Sequence, residues 1–85
     1  MSVQEPPTDR DGRLDVRQIP FWRRLDAIIA ACDRLQPNEA LELVVEIDPW
    51  PLRQYLEATR RTAFDWQYLE SGPQTWRVRV SRLAG

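Results

Sequence analysis

Apolar and polar residues along this chain repeat with two periods, and the clearest stretch lies at its middle. Leu41, Leu43, Val45 and Ile47 alternate with Glu42, Val44, Glu46 and Asp48. That is the period of a strand with one face buried and one mostly wet, so the pattern predicts a sheet covered by helices on one side only. Asp48 stands where its carboxylate can accept from the free amides of a following helix, and Pro49 and Pro51 fall where a missing N–H costs little. Residues before proline avoid the helical region, which puts the start of that helix at Pro51.

The same reading runs along the rest of the chain. Residues 1–12 carry no apolar periodicity and are expected to form a tail; residues 13–83 are expected to form a single domain. Arg13 to Gln18 predicts a first strand with Leu14 and Val16 inward. Pro20 to Leu35 predicts a helix whose stripe is Phe21, Leu25, Ile28, Cys32 and Leu35, widened by Trp22 and Ile29. The second helix, to about Arg60, has a narrower stripe of Leu52, Tyr55, Leu56 and Thr59. Ala63 to Glu70 predicts a third strand with Phe64, Trp66 and Tyr68 on one face. Ser71-Gly72-Pro73-Gln74 is turn chemistry, and Thr75 to Arg82 predicts a fourth strand with Trp76, Val78 and Val80 inward.

The order β-α-β-α-β-β, with right-handed β-α-β connections, gives an α+β two-layer sandwich. Its four-stranded mixed sheet has strand order 1-2-4-3 and two helices on one face. Strand four is antiparallel, tucked between strands two and three. On the open face Glu42 and Glu46 then adjoin Arg77 and Arg79, a favourable cross-strand pairing.

Composition narrows the chemistry. An 85-residue chain buries about 60–65% of its unfolded surface, enough for one core and little internal cleft. The net charge of −1, with every one of the 12 basic residues an arginine, argues against a general nucleic-acid or anionic-membrane binder. Histidine is absent and Cys32 is the only cysteine, which excludes a Ser-His-Asp triad, a Cys-His pair, a tetrahedral zinc site and an intrachain disulfide. Nothing calls for a cofactor. A lone thiol, no secretory signal and no long apolar run together predict a cytoplasmic protein.

Several segments together resemble a known family. L-D-V-R at 14–17, I-P at 19–20, C-D-R-L-Q-P-N-E-A-L at 32–41, D-P at 48–49 with P-L at 51–52, and F-D-W-Q-Y-L-E-S-G-P followed by W-R-V-R-V within 64–80 are similar to the bacterial domain-of-unknown-function family numbered 2249. That family is similar in turn to the TusA/SirA-like sulfur carriers, and the resemblance implies the same two-layer fold. Sulfur carriers hold a nucleophilic cysteine between strand one and helix one, where this chain has Ile19-Pro20-Phe21-Trp22. Histidines that many family members carry fall here near Arg24 or Leu25 and at Ile47, so a metal or haem role attached to them does not transfer.

Three candidate sites emerge. Cys32, in the apolar stripe of helix one, is a possible sulfur acceptor in a persulfide relay; its plainer reading is core packing. Glu42 and Glu46 stand roughly 13 Å apart along a strand, too far for a two-carboxylate hydrolase, and Asp48 reads as a helix cap. The third candidate is the corner where strands one and two end and both helices begin. It gathers Arg17, Trp22, Arg23, Arg24, Trp50 and Arg53, residue types enriched in interface hot spots, beside helix amides that favour anions. The plainer reading is that the tryptophans lid the core while the arginines make surface pairs. The leading expectation is a non-catalytic module that docks a protein partner through this Trp/Arg edge, itself a monomer or a weak homodimer. The alternatives are a sulfur relay through Cys32 and an anion or metal sensor.

Overall fold

In a computed structural model that describes residues 12–60 and 63–84, the chain forms β1 (Arg13–Asp15), a 3-10 turn (Val16–Gln18), α1 (Phe21–Asp33), β2 (Ala40–Val45), α2 (Trp50–Arg60), β3 (Phe64–Ser71) and β4 (Trp76–Arg82). The four strands make one sheet in the order β1-β2-β4-β3. β1 runs parallel to β2, and β4 is antiparallel to both its neighbours. Order and direction are those that the alternation and the hairpin predict. Of the expected tail, residues 1–11 lie outside the described residues, whereas Gly12 belongs with the sheet, its carbonyl accepting from the Glu42 amide at 2.6 Å.

One face of the sheet holds the core. Leu14, Leu41, Leu43, Val45, Trp66, Val78 and Val80 are buried in a single cluster with Ile28, Ala31 and Cys32 of α1 and Leu56 of α2. Both helices therefore cover the same side, as one-sided alternation requires. The other face is charged. Glu42 lies opposite Arg79 in register, while the Arg77 guanidinium reaches diagonally to Glu42 at 2.9 Å and straight across to its register partner Glu70 at 3.1 Å. Val44 also lies on this face yet is buried, contrary to the wet position expected for it. It is flanked by Asp15 and Arg77, and long arginine stems cover apolar surface while their charged heads stay in water.

The first strand is shorter than expected. The Asp15 carboxylate accepts from the Arg17 backbone amide at 3.0 Å and pairs with the same residue's guanidinium at 2.6 Å. That local bond competes with the strand ladder, so the chain leaves β2 after Asp15 and turns through Val16–Gln18. The two strands of the ladder thus stop early on this side, β1 at Asp15 and β2 at Val45. α1, which starts beyond them, buries only residues of its second half: Ile28, Ala31 and Cys32. Its predicted stripe is corrected accordingly. Phe21 is 76% exposed, Trp22 79% and Leu25 51%, because the helix continues past the end of the sheet. Ile47, expected inward, is likewise 71% exposed since β2 has already ended. In α2, Leu56 is buried but Tyr55 and Thr59 are exposed, so that stripe is narrower still.

Candidate functional site

The two parallel strands end side by side, and both helices begin just after them, which leaves a corner that the sheet does not fill. Asp48 fixes the start of α2: its Oδ1 accepts from the Trp50 amide at 2.9 Å and from the Tyr68 hydroxyl at 3.3 Å. The first full helical bond runs from the Arg53 amide to the Pro49 carbonyl at 2.9 Å. α2 thus begins at Trp50, one residue before the predicted start, with Pro51 inside the first turn, where a lost N–H is harmless. Burial, and then the charge of Asp48, push the Tyr68 hydroxyl pKa up.

Between the two helix starts lies a groove of about 620 Å³. Phe21, Trp22, Leu25 and Ile28 form its α1 wall. Ile47, Pro49, Pro51 and Leu52 form the opposite wall, with Val16 and Val45 also in the lining. Arg24 ties the walls together: its Nε donates to the Ile19 carbonyl at 2.8 Å and its Nη1 to Glu46 Oε1 at 2.9 Å. Glu46 is therefore a rim residue of this groove and not, as its place in the alternation suggests, a member of the open charged face.

The six residues expected at the corner divide into those that meet there and those that do not. Trp22 and Arg24 line the groove. Trp50 and Arg53 sit beside it on the first turn of α2, the Arg53 guanidinium 5.4 Å from the Trp50 ring centroid and 3.1 Å from Glu57. Arg17 is held away by Asp15, whose side-chain hydrogen bond raises the guanidinium's pKa, and Arg23 is exposed on α1. The apolar residues that dominate the site, Phe21, Leu25 and Ile47, read in the sequence as core. The signal that marks them as surface is the position of Asp15 two residues before Arg17, which shortens β1.

The remaining chemistry is quiet. Cys32 is fully buried, and burial, with the neighbouring Asp33 charge, pushes its thiol up to about 12; a protonated thiol out of reach of solvent is a poor nucleophile. No group of three or more His, Cys, Asp or Glu side chains stands together as a metal cage among the described residues. The amino end of α2 already carries the Asp48 carboxylate, which opposes a second anion. None of the described helices is long and apolar enough to cross a membrane.

Comparison with known proteins adds the fold and the family. The chain is similar to the solution structure of HP1264 from Helicobacter pylori, with a TM-score of 0.66 and 19% sequence identity over 86% of this chain and 99% of that one. At that identity the likeness concerns the fold alone. No curated protein sequence matches. The profile described as "Uncharacterized conserved protein (DUF2249)" matches residues 13–82, the whole of the sheet and both helices, and the chain belongs to that family.

Proposed function

We propose that this protein is a non-catalytic binding module of sulfur-carrier-like fold, without a carrier cysteine, which docks another polypeptide through the corner between α1 and α2. One observation carries the reading: Phe21, Trp22, Leu25, Ile47 and Trp50, five large apolar side chains in a chain of this size, are all 46% or more exposed and lie around one groove. A contiguous exposed apolar patch with a polar rim is the signature of an interaction surface. The groove lining also offers little for catalysis: its arginine is tied to Ile19 and Glu46, and its Asp48 caps α2. Compared with the expected Trp/Arg edge, the emphasis moves from arginine to the apolar residues, since Arg17, Arg24 and Arg53 all have carboxylate partners within the chain. A sulfur relay through Cys32 would need the thiol to leave the core, and an anion sensor would need the helix end that Asp48 fills.

A photo-reactive benzophenone amino acid placed at position 22 or 47 tests the reading in the source cell. Both positions are expected to give the same discrete protein adduct, while position 79 on the open face gives none. Equal diffuse labelling from all three positions would remove the corner from consideration.

A further inference from the structure

Resting on the docking reading above, we propose that the polypeptide this corner receives is a second copy of the same chain, in a two-fold symmetric dimer. The extent of the patch is the first argument. With about 150–250 Å² for each aromatic side chain, the exposed fractions of Phe21, Trp22, Leu25, Ile47 and Trp50 amount to apolar area on the order of 600 Å². That is at the upper end of the ~300–600 Å² of the largest patch on a typical monomer and near the ~800 Å² per partner of a standard interface. Trp50, 46% exposed between the lining residues Pro49 and Pro51 in the chain, is not itself in the lining, so a small molecule filling about 620 Å³ leaves its exposed ring wet.

Charge is the second argument. A symmetric interface sets a surface against itself, so a patch with a net charge repels its own copy. Around the groove each charge is met within one chain: Arg24 by Glu46 at 2.9 Å, Arg53 by Glu57 at 3.1 Å, and the Asp48 carboxylate by the Trp50 amide at the amino end of α2 at 2.9 Å. Arg23 and Asp26, both exposed, stand three apart on α1, where opposite charges are neighbours. A strongly charged partner gains nothing from such a rim, and an identical one is not repelled.

Shape is the third. The Phe21, Trp22 and Leu25 ridge and the Ile47, Pro51 and Leu52 wall flank one groove. In a two-fold arrangement the ridge of each copy enters beside the wall of the other, so that every contact is made twice.

Sedimentation of the full chain between micromolar and ~1 mM tests this, together with the Trp22→Glu and Ile47→Glu variants, whose circular dichroism checks that they fold. The expected result is twice the chain mass at the upper concentrations, with either variant dissociating at least tenfold more readily. Benzophenone at position 22 of the purified chain is expected to yield a dimer-sized adduct. A monomer throughout overturns the proposal. So does a dimer that both variants leave unchanged, which would locate pairing elsewhere, for instance at the β3 edge. If the chain is monomeric while position 22 still captures a different protein in the cell, the docking reading stands and self-pairing falls. If position 22 captures nothing either, both fall.

Discussion

Arg24 and Glu46 meet at 2.9 Å across the corner where α1 and α2 begin, joining two segments 22 residues apart in the chain. The same guanidinium donates to the Ile19 carbonyl at 2.8 Å, so the two partners are not equivalent. Glu46→Gln weakens only a half-exposed pair and is expected to cost less than about 1 kcal/mol. Arg24→Ala also strips the donor from a carbonyl beside the buried Ile19 side chain, with an expected cost of about 1–3 kcal/mol. Urea unfolding of the two variants reads the difference as a shift in midpoint at constant slope. Equal costs would show that the Ile19 bond contributes nothing.

At the opposite ends of the helices, Arg60 grips Asp33 through two bonds, at 2.8 and 2.7 Å. The hydrogen bond from Arg60 holds the Asp33 carboxyl below its ordinary 3.8, and Arg17 does the same for Asp15. A carboxyl with a depressed folded pKa binds fewer protons than it does in the unfolded chain. Its stabilisation is therefore complete above the unfolded value near 3.8 and drains away as pH falls through the folded one. Without histidine, stability should stay level between about pH 5 and 8 and decline below 4. Asp33→Asn should lower the neutral plateau slightly, because the pair is partly exposed, and make the acid decline shallower. An unchanged acid limb in that variant would mean the bridge is not formed in solution.

Cys32 works in the other direction. With its thiol pushed up to about 12 from an ordinary 9.0, the folded chain keeps a proton that the unfolded chain releases above pH 9. Stability from this group is thus full at neutral pH and declines as pH rises from 9 towards 12. The native thiol should resist a disulfide reagent at pH 8 and react fully in denaturant. Cys32→Ser, which leaves a hydroxyl unpaired in the core, should cost about 1–3 kcal/mol and more than Cys32→Ala. Rapid native labelling would return the thiol to the list of reactive groups.

These outcomes bear on what a reader of the sequence can see. The alternation of Leu41, Leu43 and Val45 with Glu42 carries the sheet's sidedness, and the Ser71 to Gln74 turn carries the β3-β4 hairpin, so with right-handed connections the strand order follows, whereas the register shift between Tyr68 and Glu70 does not. Phe21, Leu25 and Ile47 obey the same periodicities and yet are exposed. Periodicity identifies a face of an element, but not how far the neighbouring layer extends beneath it. That extent was set by a side-chain bond, Asp15 to the Arg17 amide, which cut the first strand to three residues. The corner's position was legible; its apolar character was not, because the residues that give it that character look like core.

Gly12 offers the sharpest test of where the domain begins. Its φ of +72° lies in the left-handed region, and a Cβ there would come 2.8 Å from the Ala40 carbonyl oxygen. The obstacle is backbone of β2, which cannot swing aside as a side chain would. Gly12 also accepts the Glu42 amide, so moving it disturbs the first rung beside the three-residue β1 pairing. Gly12→Ala is therefore expected to destabilise by about 1–3 kcal/mol, combining strain in the left-handed region with the close approach. Hydrogen exchange at the Glu42 amide should accelerate in the variant. If Gly12→Ala unfolds at the wild-type urea concentration and the Glu42 amide stays protected, the residue belongs to the tail after all, and the domain starts at Arg13.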